Sequence, residues 1–211
     1  MVPLPTLLAF AGASAILIAI PGPSVLFVIS RSLAHGRVGG LLSVVGNNAG
    51  VAVQVVAVAL GVGALLAASE IAFTIVKFAG AAYLVYLGIQ TIRHRREKSA
   101  VEKEKPKRST RRLLLESFIV GTTNPKVAVF MVAVLPQFVG YSAGAVPLQL
   151  LELGGIFVAI GLVFDGTWAL AAGSGRDWFA RSPKRVERLR TTGGVMMIGL
   201  GGVLAVSGVK S

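Results

Sequence analysis

The feature that most constrains this chain is the length of its uncharged segments. No acidic or basic residue occurs from Met1 to Ser30, or from Val38 to Ser69. A helix of about 20 apolar residues can cross a bilayer, and both segments exceed that length. Only 14% of all residues are charged, against about 25% in soluble domains. We therefore interpret the chain as an integral membrane protein. No basic residue or evident cleavage site precedes Pro21, so we expect the first segment to remain in the membrane.

The apolar runs divide the chain into six spans. These are Leu4–Ile29, Leu41–Ala68, Ile71–Ile92, Leu113–Phe138, Leu150–Gly173 and Gly193–Val209. Their length, and the lack of strict alternation between apolar and polar residues, favour helices over the strands of a barrel. The sequence therefore predicts an all-α polytopic membrane protein with six transmembrane helices.

Most basic residues lie in three polar segments. Arg31 and Arg37 flank the first, Arg93–Arg112 contains ten Lys or Arg and three Glu, and Arg176–Arg190 contains six Lys or Arg and two acids. Because basic loops stay in the cytoplasm, these segments predict that both termini lie outside. The net charge of +12 is explained by topology and by contact with anionic lipid, and we expect no nucleic-acid partner.

Residues 1–211 are interpreted as one transport domain made of two halves. The halves, 1–92 and 113–211, are joined by a basic cytoplasmic linker over 93–112. Since each half has an odd number of spans, a repeat between the halves must be inverted in the membrane. A five-span topology with one re-entrant segment remains open.

Two proline breaks occupy comparable places in the first and fourth spans. They are Pro21-Gly22-Pro23 and Thr122-Thr123-Asn124-Pro125-Lys126. Proline lacks the amide donor and blocks the carbonyl one turn back, so each break frees backbone polar groups. In hydrocarbon such groups must be satisfied by protein or by a wet cavity. Matching broken helices in two halves are the best sequence indication of a transporter's binding site.

Two ionisable residues lie deep inside predicted spans. Lys126 follows the second break, and Asp165 lies well inside the fifth span. Unpaired charges there would cost at least about 2.5–3.5 kcal/mol each, so we expect a mutual pair or a shared wet cavity. Asp165 is the candidate proton carrier, and a static ion pair is the alternative. Glu116 and Glu152 can reach the interface as anchors, and Lys77 can extend its side chain to it.

Uncharged polar residues complete the candidate site. Asn47 and Gln54 are seven residues apart and share a helical face, whereas Asn48 is expected to point elsewhere. Such groups beside broken helix ends could bind the carboxylate and ammonium of a small zwitterion; interhelical hydrogen bonding is the alternative. The predicted substrate-binding residues are Pro21, Gly22, Pro23, Asn47, Gln54, Thr123, Asn124, Pro125 and Lys126.

Enzymatic and metal-binding interpretations find little support. The chain has no cysteine, and His35 and His94 lie in basic segments without carboxylates at ligand spacing. No catalytic triad order or paired catalytic acids occur. We therefore expect no enzymatic activity, no cofactor and no bound metal.

At several motifs the chain resembles the LysE/RhtB family of amino-acid exporters. The matching segments are Pro21-Gly22-Pro23, residues 30–37 with Gly39-Gly40-Leu41, residues 77–89, Thr123-Asn124-Pro125-Lys126, and Leu135-Pro136-Gln137-Phe138. Asp165 and Trp168 fit the pattern of the fifth span. The resemblance implies a bacterial inner-membrane exporter that is driven by the proton motive force and moves amino acids or small analogues outward. A single deep carboxylate opposed by a lysine favours a zwitterion over a divalent metal as substrate.

The leading hypothesis is therefore a secondary transporter that exports amino acids by proton antiport, with its two halves rocking about the breaks. Its partners would be an amino acid, protons and membrane lipids. Glycine-rich faces, such as Gly46–Gly50, favour close helix packing and make a homodimer plausible. Two alternatives stay open: a structural or partner-binding membrane protein that works through the linker, and a passive channel.

Overall fold

The computed structural model describes residues 1–62, 70–94, 109–175 and 183–206, and every regular secondary-structure element within these ranges is a helix. The α-helices are α1 (Leu4–Ala19), α2 (Pro23–Ala57), α3 (Glu70–Arg93), α4 (Thr110–Thr122), α5 (Pro125–Val129), α6 (Val146–Ser174) and α7 (Pro183–Val206). Helix α2 continues as a π-helical turn over Val58–Val62. Helix α5 continues as a π-helical turn over Phe130–Val134 and a 3-10 turn over Leu135–Phe138, and a further 3-10 turn covers Tyr141–Ala143.

Three helical stretches among the described residues are long and apolar enough to cross a membrane. They are Pro23–Gly61, Thr110–Phe138 and Val146–Ser174, with 39, 29 and 29 residues. Leu4–Ala19 and Thr191–Val203 are shorter apolar helices. The predicted all-α membrane class is confirmed, and the count of six spans stays a prediction. Four segments lie outside the described residues, namely 63–69, 95–108, 176–182 and 207–211. They include most of the predicted linker and the predicted span ends at Ala68 and Val209. The side chain of Lys77 also lies outside the described part of the chain.

The boundary between the first two predicted spans differs from the prediction. The sequence predicts a polar break over Arg31–Arg37, but α2 passes through Arg31 as helix and turns only at Gly36, with φ 72° and ψ −172°. A glycine adopts this conformation without the strain that a Cβ would cause. Arg31 remains inside the helix because its guanidinium is paired with Glu116 at 2.9 Å. A single residue therefore replaces the predicted loop.

Helices α2 and α4 pack with their backbones in contact. A Cβ placed on Gly50 would lie 2.5 Å from the amide nitrogen of Thr122, and one on Gly46 would lie 2.5 Å from the carbonyl oxygen of Leu114. The close packing predicted for Gly46–Gly50 is thereby confirmed. In lipid, helices are held together by dispersion between closely approaching backbones, not by the hydrophobic effect, and this contact provides that close approach. It joins the first half of the chain to the second.

Helices α3 and α7 form a second close pair. A Cβ on Gly88 would lie 2.5 Å from the carbonyl oxygen of Gly194, and one on Gly201 would lie 2.7 Å from that of Ala81. The pairing is antiparallel, since the end of α3 meets the start of α7. Each half thus contributes one helix to a peripheral pair.

The two ends of the molecule have different chemistry. The end with Arg31, Arg37 and Arg112 is called the basic end here. The opposite end contains the start of α1, the start of α6 and residues 139–145, where Gln149 accepts from the amide of Gly140 at 2.9 Å and donates to the carbonyl of Gly144 at 2.7 Å. Between the middle of the molecule and this opposite end lies the largest apolar cluster. Its aromatic members are Phe10, Phe130, Phe138 and Phe157.

Candidate functional site

Lys126 connects the two backbone breaks. Helix α1 ends at Ala19, and the Lys126 ammonium donates a 2.7 Å hydrogen bond to the carbonyl oxygen of Ile20. A Cβ on Gly22 would lie only 3.0 Å from Lys126 Cδ, so the glycine leaves room for this side chain to pass. The cation lies at a helix C-terminus, where the helix dipole favours positive charge. A carbonyl freed by the first break is thus satisfied by a residue of the second.

Asn124 makes a second connection between the breaks. Its Oδ1 accepts from the backbone amide of Lys126 at 3.1 Å and caps the start of α5. Its Nδ2 donates to the hydroxyl oxygen of Ser24 in the first turn of α2. Both breaks are therefore held together by buried side-chain bonds, and the regular helix that follows each proline starts at the same place in the molecule.

Gln54 satisfies the carbonyl groups of the second break. Its Nε2 donates to the carbonyl oxygens of Gly121 and Thr122, each at 2.8 Å, and lies 3.4 Å from that of Asn124. Pro125 has no amide to donate to the Gly121 carbonyl one turn back, which accepts a 3.4 Å bond from the Asn124 amide instead. Gln54 belongs to α2, so this contact adds to the glycine packing between α2 and α4.

Asp165 is held by two neighbouring amides of α2. Its Oδ2 accepts hydrogen bonds from Asn47 Nδ2 and Asn48 Nδ2, each at 3.2 Å, and Asn48 Nδ2 also donates to the carbonyl of Val44 at 3.0 Å. Asp165 is only 5% exposed. The Oδ1 of Asn47 is buried and, in the described structure, has no hydrogen-bond partner. One acceptor is therefore left for a donor that the described residues do not supply.

Next to these hydrogen bonds lies a small cavity of about 30 Å³, which has room for about two water molecules. Its polar lining residues are Ser24, Asn47, Asn48, Asn124, Lys126 and Asp165, and its other lining residues are Leu17, Ile18, Val25, Val51, Val127, Phe157 and Gly161. Lys126 and Asp165 both line it, yet among the described residues no salt bridge within 4.0 Å joins them. The cavity thus offers a cationic and an anionic group that do not neutralise each other directly.

The structure sorts the predicted site residues into two groups. Asn47, Asn124, Lys126 and Asp165 line the cavity. The others shape the breaks without lining it, namely Pro21, Gly22, Pro23, Gln54, Thr123 and Pro125. Thr123 is exposed, and its hydroxyl donates to the carbonyl of Ile119 in its own helix.

Sequence reasoning missed two polar lining residues. Asn48 is predicted to point away from Asn47, but both amides reach Asp165 because α6 approaches α2 between them. Gly161 permits this approach, since a Cβ there would overlap the side-chain oxygen of Asn48. Ser24 directly follows the first break, and its place beside Pro23 is the sequence feature that could have identified it as a lining residue.

An ion-pair network lies at the basic end, away from the cavity. Arg31 Nη2 lies 2.9 Å from Glu116 Oε2, and Arg112 Nε lies 2.8 Å from Glu116 Oε1. The Arg31 guanidinium also lies 4.6 Å from the centroid of the Phe27 ring, a cation–π contact. Glu116, predicted as an interfacial anchor, joins α4 to the first part of α2.

The chain is similar to several bacterial proteins over most of its length. It is 39% identical over 188 residues to an uncharacterized membrane protein of Vibrio cholerae, covering 89% of this chain and 90% of that one. It is 32% identical over 187 residues to the homoserine/homoserine lactone efflux protein of Salmonella typhimurium, covering 88% of each chain. It is 26% identical over 204 residues to the uncharacterized membrane protein YrhP of Bacillus subtilis, covering 93% of this chain and 96% of that one. No solved structure matches.

The family described as LysE type translocator matches residues 15–208. The resemblance drawn from the sequence motifs is therefore confirmed, and so is the inner-membrane location that the family and the membrane-spanning helices imply. The chain belongs to the LysE type translocator family.

Proposed function

We propose that this protein is a secondary transporter that exports an amino acid or a close analogue across the bacterial inner membrane by proton antiport. The relative from Salmonella typhimurium, named for homoserine and homoserine lactone efflux, supports a small amino compound as substrate. The observation that carries the proposal is the pair of unlike, buried charges, Lys126 and Asp165, which line one small cavity without a direct salt bridge.

A zwitterion is the solute that complements these charges. Buried charges are costly unless they are paired, so each one favours a ligand group of opposite sign. The ammonium of an amino acid would bind Asp165 and the open Oδ1 of Asn47, and its carboxylate would bind Lys126. A lysine ammonium has three donors, and one of them is engaged by Ile20. The remaining two are enough for a carboxylate.

Asp165 is proposed as the proton carrier. Asp165 is the one acidic residue in the described lining of the cavity. Protonation would remove the charge that holds the substrate ammonium, so proton binding and substrate binding at this carboxyl would compete. Competition of this kind at one site couples the two fluxes as antiport when the carrier changes its orientation only with one of the two ligands bound.

The arrangement of the helices supports an inverted repeat. In the first half, α1, the first break and residues 23–35 of α2 are followed by residues 37–57 and by α3. In the second half, α4, the second break and α5 are followed by α6 and α7. Each half thus has a broken helix, a long helix beside the cavity, and a helix of the peripheral pair.

A cavity of about 30 Å³ must open before an amino acid can enter. Rocking of the two halves against each other would separate α2 from α4, whose backbones are interlocked at Gly50 and Gly121. We therefore place the motion in the two segments that follow the breaks. Residues 23–35 are bounded by the first break and by Gly36, and the Arg31–Glu116 pair holds their far end against α4. Their movement would open the cavity toward the basic end, which is the cytoplasmic side.

Efflux from dipeptide-loaded cells tests the proposal. Cells that express the wild-type protein should release one or more amino acids faster than cells without it, and a proton gradient should drive this release. Asp165→Asn should abolish the gradient-driven part while the protein still accumulates in the membrane. Deleting Val101–Lys107 should leave export intact, whereas a protein that works through its linker would lose its activity. Equal release with and without the protein would refute amino-acid export.

A further inference from the structure

The cavity has a polar end and an apolar end. Along α6, which runs toward the basic end, Phe157, Gly161 and Asp165 lie on successive turns of the lining. Phe157 and Asp165 are eight residues apart, or about 12 Å along the helix at about 1.5 Å per residue. The charged carboxyl is therefore nearer the basic end, and the aromatic ring is nearer the opposite end.

The second part of α2, residues 37–57, and helix α5 have the same polarity. Residues 37–57 run away from the basic end, and along them the amides of Asn47 and Asn48 come before the apolar Val51. Helix α5 runs in the same direction, and Lys126 comes before Val127. Three elements thus place hydrogen-bonding and charged groups at one end and hydrocarbon at the other.

Phe157 closes the apolar end of the cavity. It is only 2% exposed, and its ring centroid lies 5.3 Å from that of Phe130, which lies 5.8 Å from that of Phe10. Such ring packing holds the side chain in place. Phe138 belongs to the same aromatic cluster, at 5.3 Å from Phe10, but does not line the cavity.

We propose that Phe157 determines which substrate side chains are accepted, and that the substrates are neutral amino acids with short side chains. This inference rests on the proposed function. The substrate's ammonium and carboxylate would occupy the polar end, and its side chain would point toward Phe157. The charged residues of the described lining are Asp165 and Lys126. Asp165 would bind the ammonium that every amino acid carries, and Lys126 would bind its carboxylate. A third charge on the substrate would have no counterion, so basic and acidic amino acids are excluded.

The test compares Phe157→Ala with Phe138→Ala as a matched control that removes a ring of the same cluster. Cells are loaded with alanyl dipeptides of threonine, phenylalanine or lysine, and the amino acids released are quantified by chromatography. The wild-type protein should export threonine and neither phenylalanine nor lysine. Phe157→Ala should raise the export of phenylalanine relative to threonine by about tenfold or more, since pocket contacts of a single methylene already discriminate by about 10–200-fold. Phe138→Ala should leave that ratio unchanged.

Three results would overturn the inference: an unchanged ratio in a Phe157→Ala protein that still exports threonine, an equal change in the Phe138→Ala control, or lysine export by the wild type. Should Phe157→Ala fail to accumulate, Phe157→Leu keeps a large apolar group in the core. It should shift the ratio in the same direction by a smaller factor, and an unshifted ratio there would also count against the inference. A wild-type protein that releases no amino acid from any dipeptide would instead remove the proposed function itself.

Discussion

The backbone contact between α2 and α4 makes Gly121→Ala a sharply defined perturbation. A Cβ on Gly121 would overlap the carbonyl oxygen of Asn47 and lie 2.8 Å from its carbonyl carbon, against 3.4 Å or more in ordinary contact. Backbone atoms cannot rotate away as a side chain can. The two helices must therefore part by at least about 0.6 Å, the difference between those two distances.

The cost follows from what the separation disturbs. Overpacking of this kind costs about 1–3 kcal/mol. The two 2.8 Å bonds from Gln54 to the carbonyls of Gly121 and Thr122 would also lengthen, at about 0.5–1.5 kcal/mol each. The greater helix propensity of alanine returns up to about 1 kcal/mol. We expect a net destabilisation of about 1–6 kcal/mol.

Two other glycines provide controls for the same chemical change. A Cβ on Gly12 or Gly155 would meet nothing within 4 Å, so Gly12→Ala and Gly155→Ala should be neutral or slightly stabilising. Unfolding of the purified proteins in detergent, followed by circular dichroism during denaturant titration, would rank the three variants. If Gly121→Ala unfolds at the same midpoint as Gly155→Ala, the close contact between α2 and α4 is not present in the membrane protein, and our reasoning about it fails.

Three further predictions concern individual polar groups. Asp165→Asn keeps an oxygen for the two asparagine amides, so we expect normal accumulation but no response of efflux to an imposed proton gradient; full efflux across a range of pH would contradict this. Arg31→Glu and Glu116→Arg should each reduce efflux about tenfold or more by placing like charges about 2.9 Å apart. The double variant restores attraction between positions 31 and 116 but puts an arginine beside Arg112, so it should recover part of that loss; efflux no higher than in the single variants would show that the pair does not act as a unit. Gln54→Leu should destabilise the protein by about 1–3 kcal/mol, measured by denaturant titration, because it removes the 2.8 Å donor of the Thr122 carbonyl and leaves the Gly121 carbonyl with the 3.4 Å bond from the Asn124 amide; an unchanged unfolding midpoint would argue against its role at the second break.

Local chemistry explains what the sequence could predict. Proline at Pro23 and Pro125 removes amide donors wherever the chain goes next, so both breaks lie where predicted. A charge deep in an apolar helix must find compensation, and Lys126 and Asp165 indeed line one cavity. The small residues Gly46 and Gly50 likewise predict close packing whatever their partner helix.

The remaining features depend on which helices meet, and local patterns do not encode that. Asn48 reaches the cavity because α6 carries Gly161 at its level. Gln54 has the sequence signature of a ligand-binding amide, yet its Nε2 is used by the backbone of α4. Phe157 is one apolar residue among many in its helix, and it is distinguished by lining the cavity on the side of Asp165 that faces away from the basic end.

The small volume of the central cavity has a consequence for binding measurements. Because a solute of amino-acid size cannot fit into about 30 Å³, each binding event includes the free energy needed to enlarge the site. If the enlarged form makes up about 1% of the unliganded protein, the measured affinity is about 100-fold weaker than the intrinsic one. Detergents or lipids that favour the enlarged form would then tighten binding without touching any residue of the site. Affinities for this protein are therefore comparable only when they are measured in the same lipid environment.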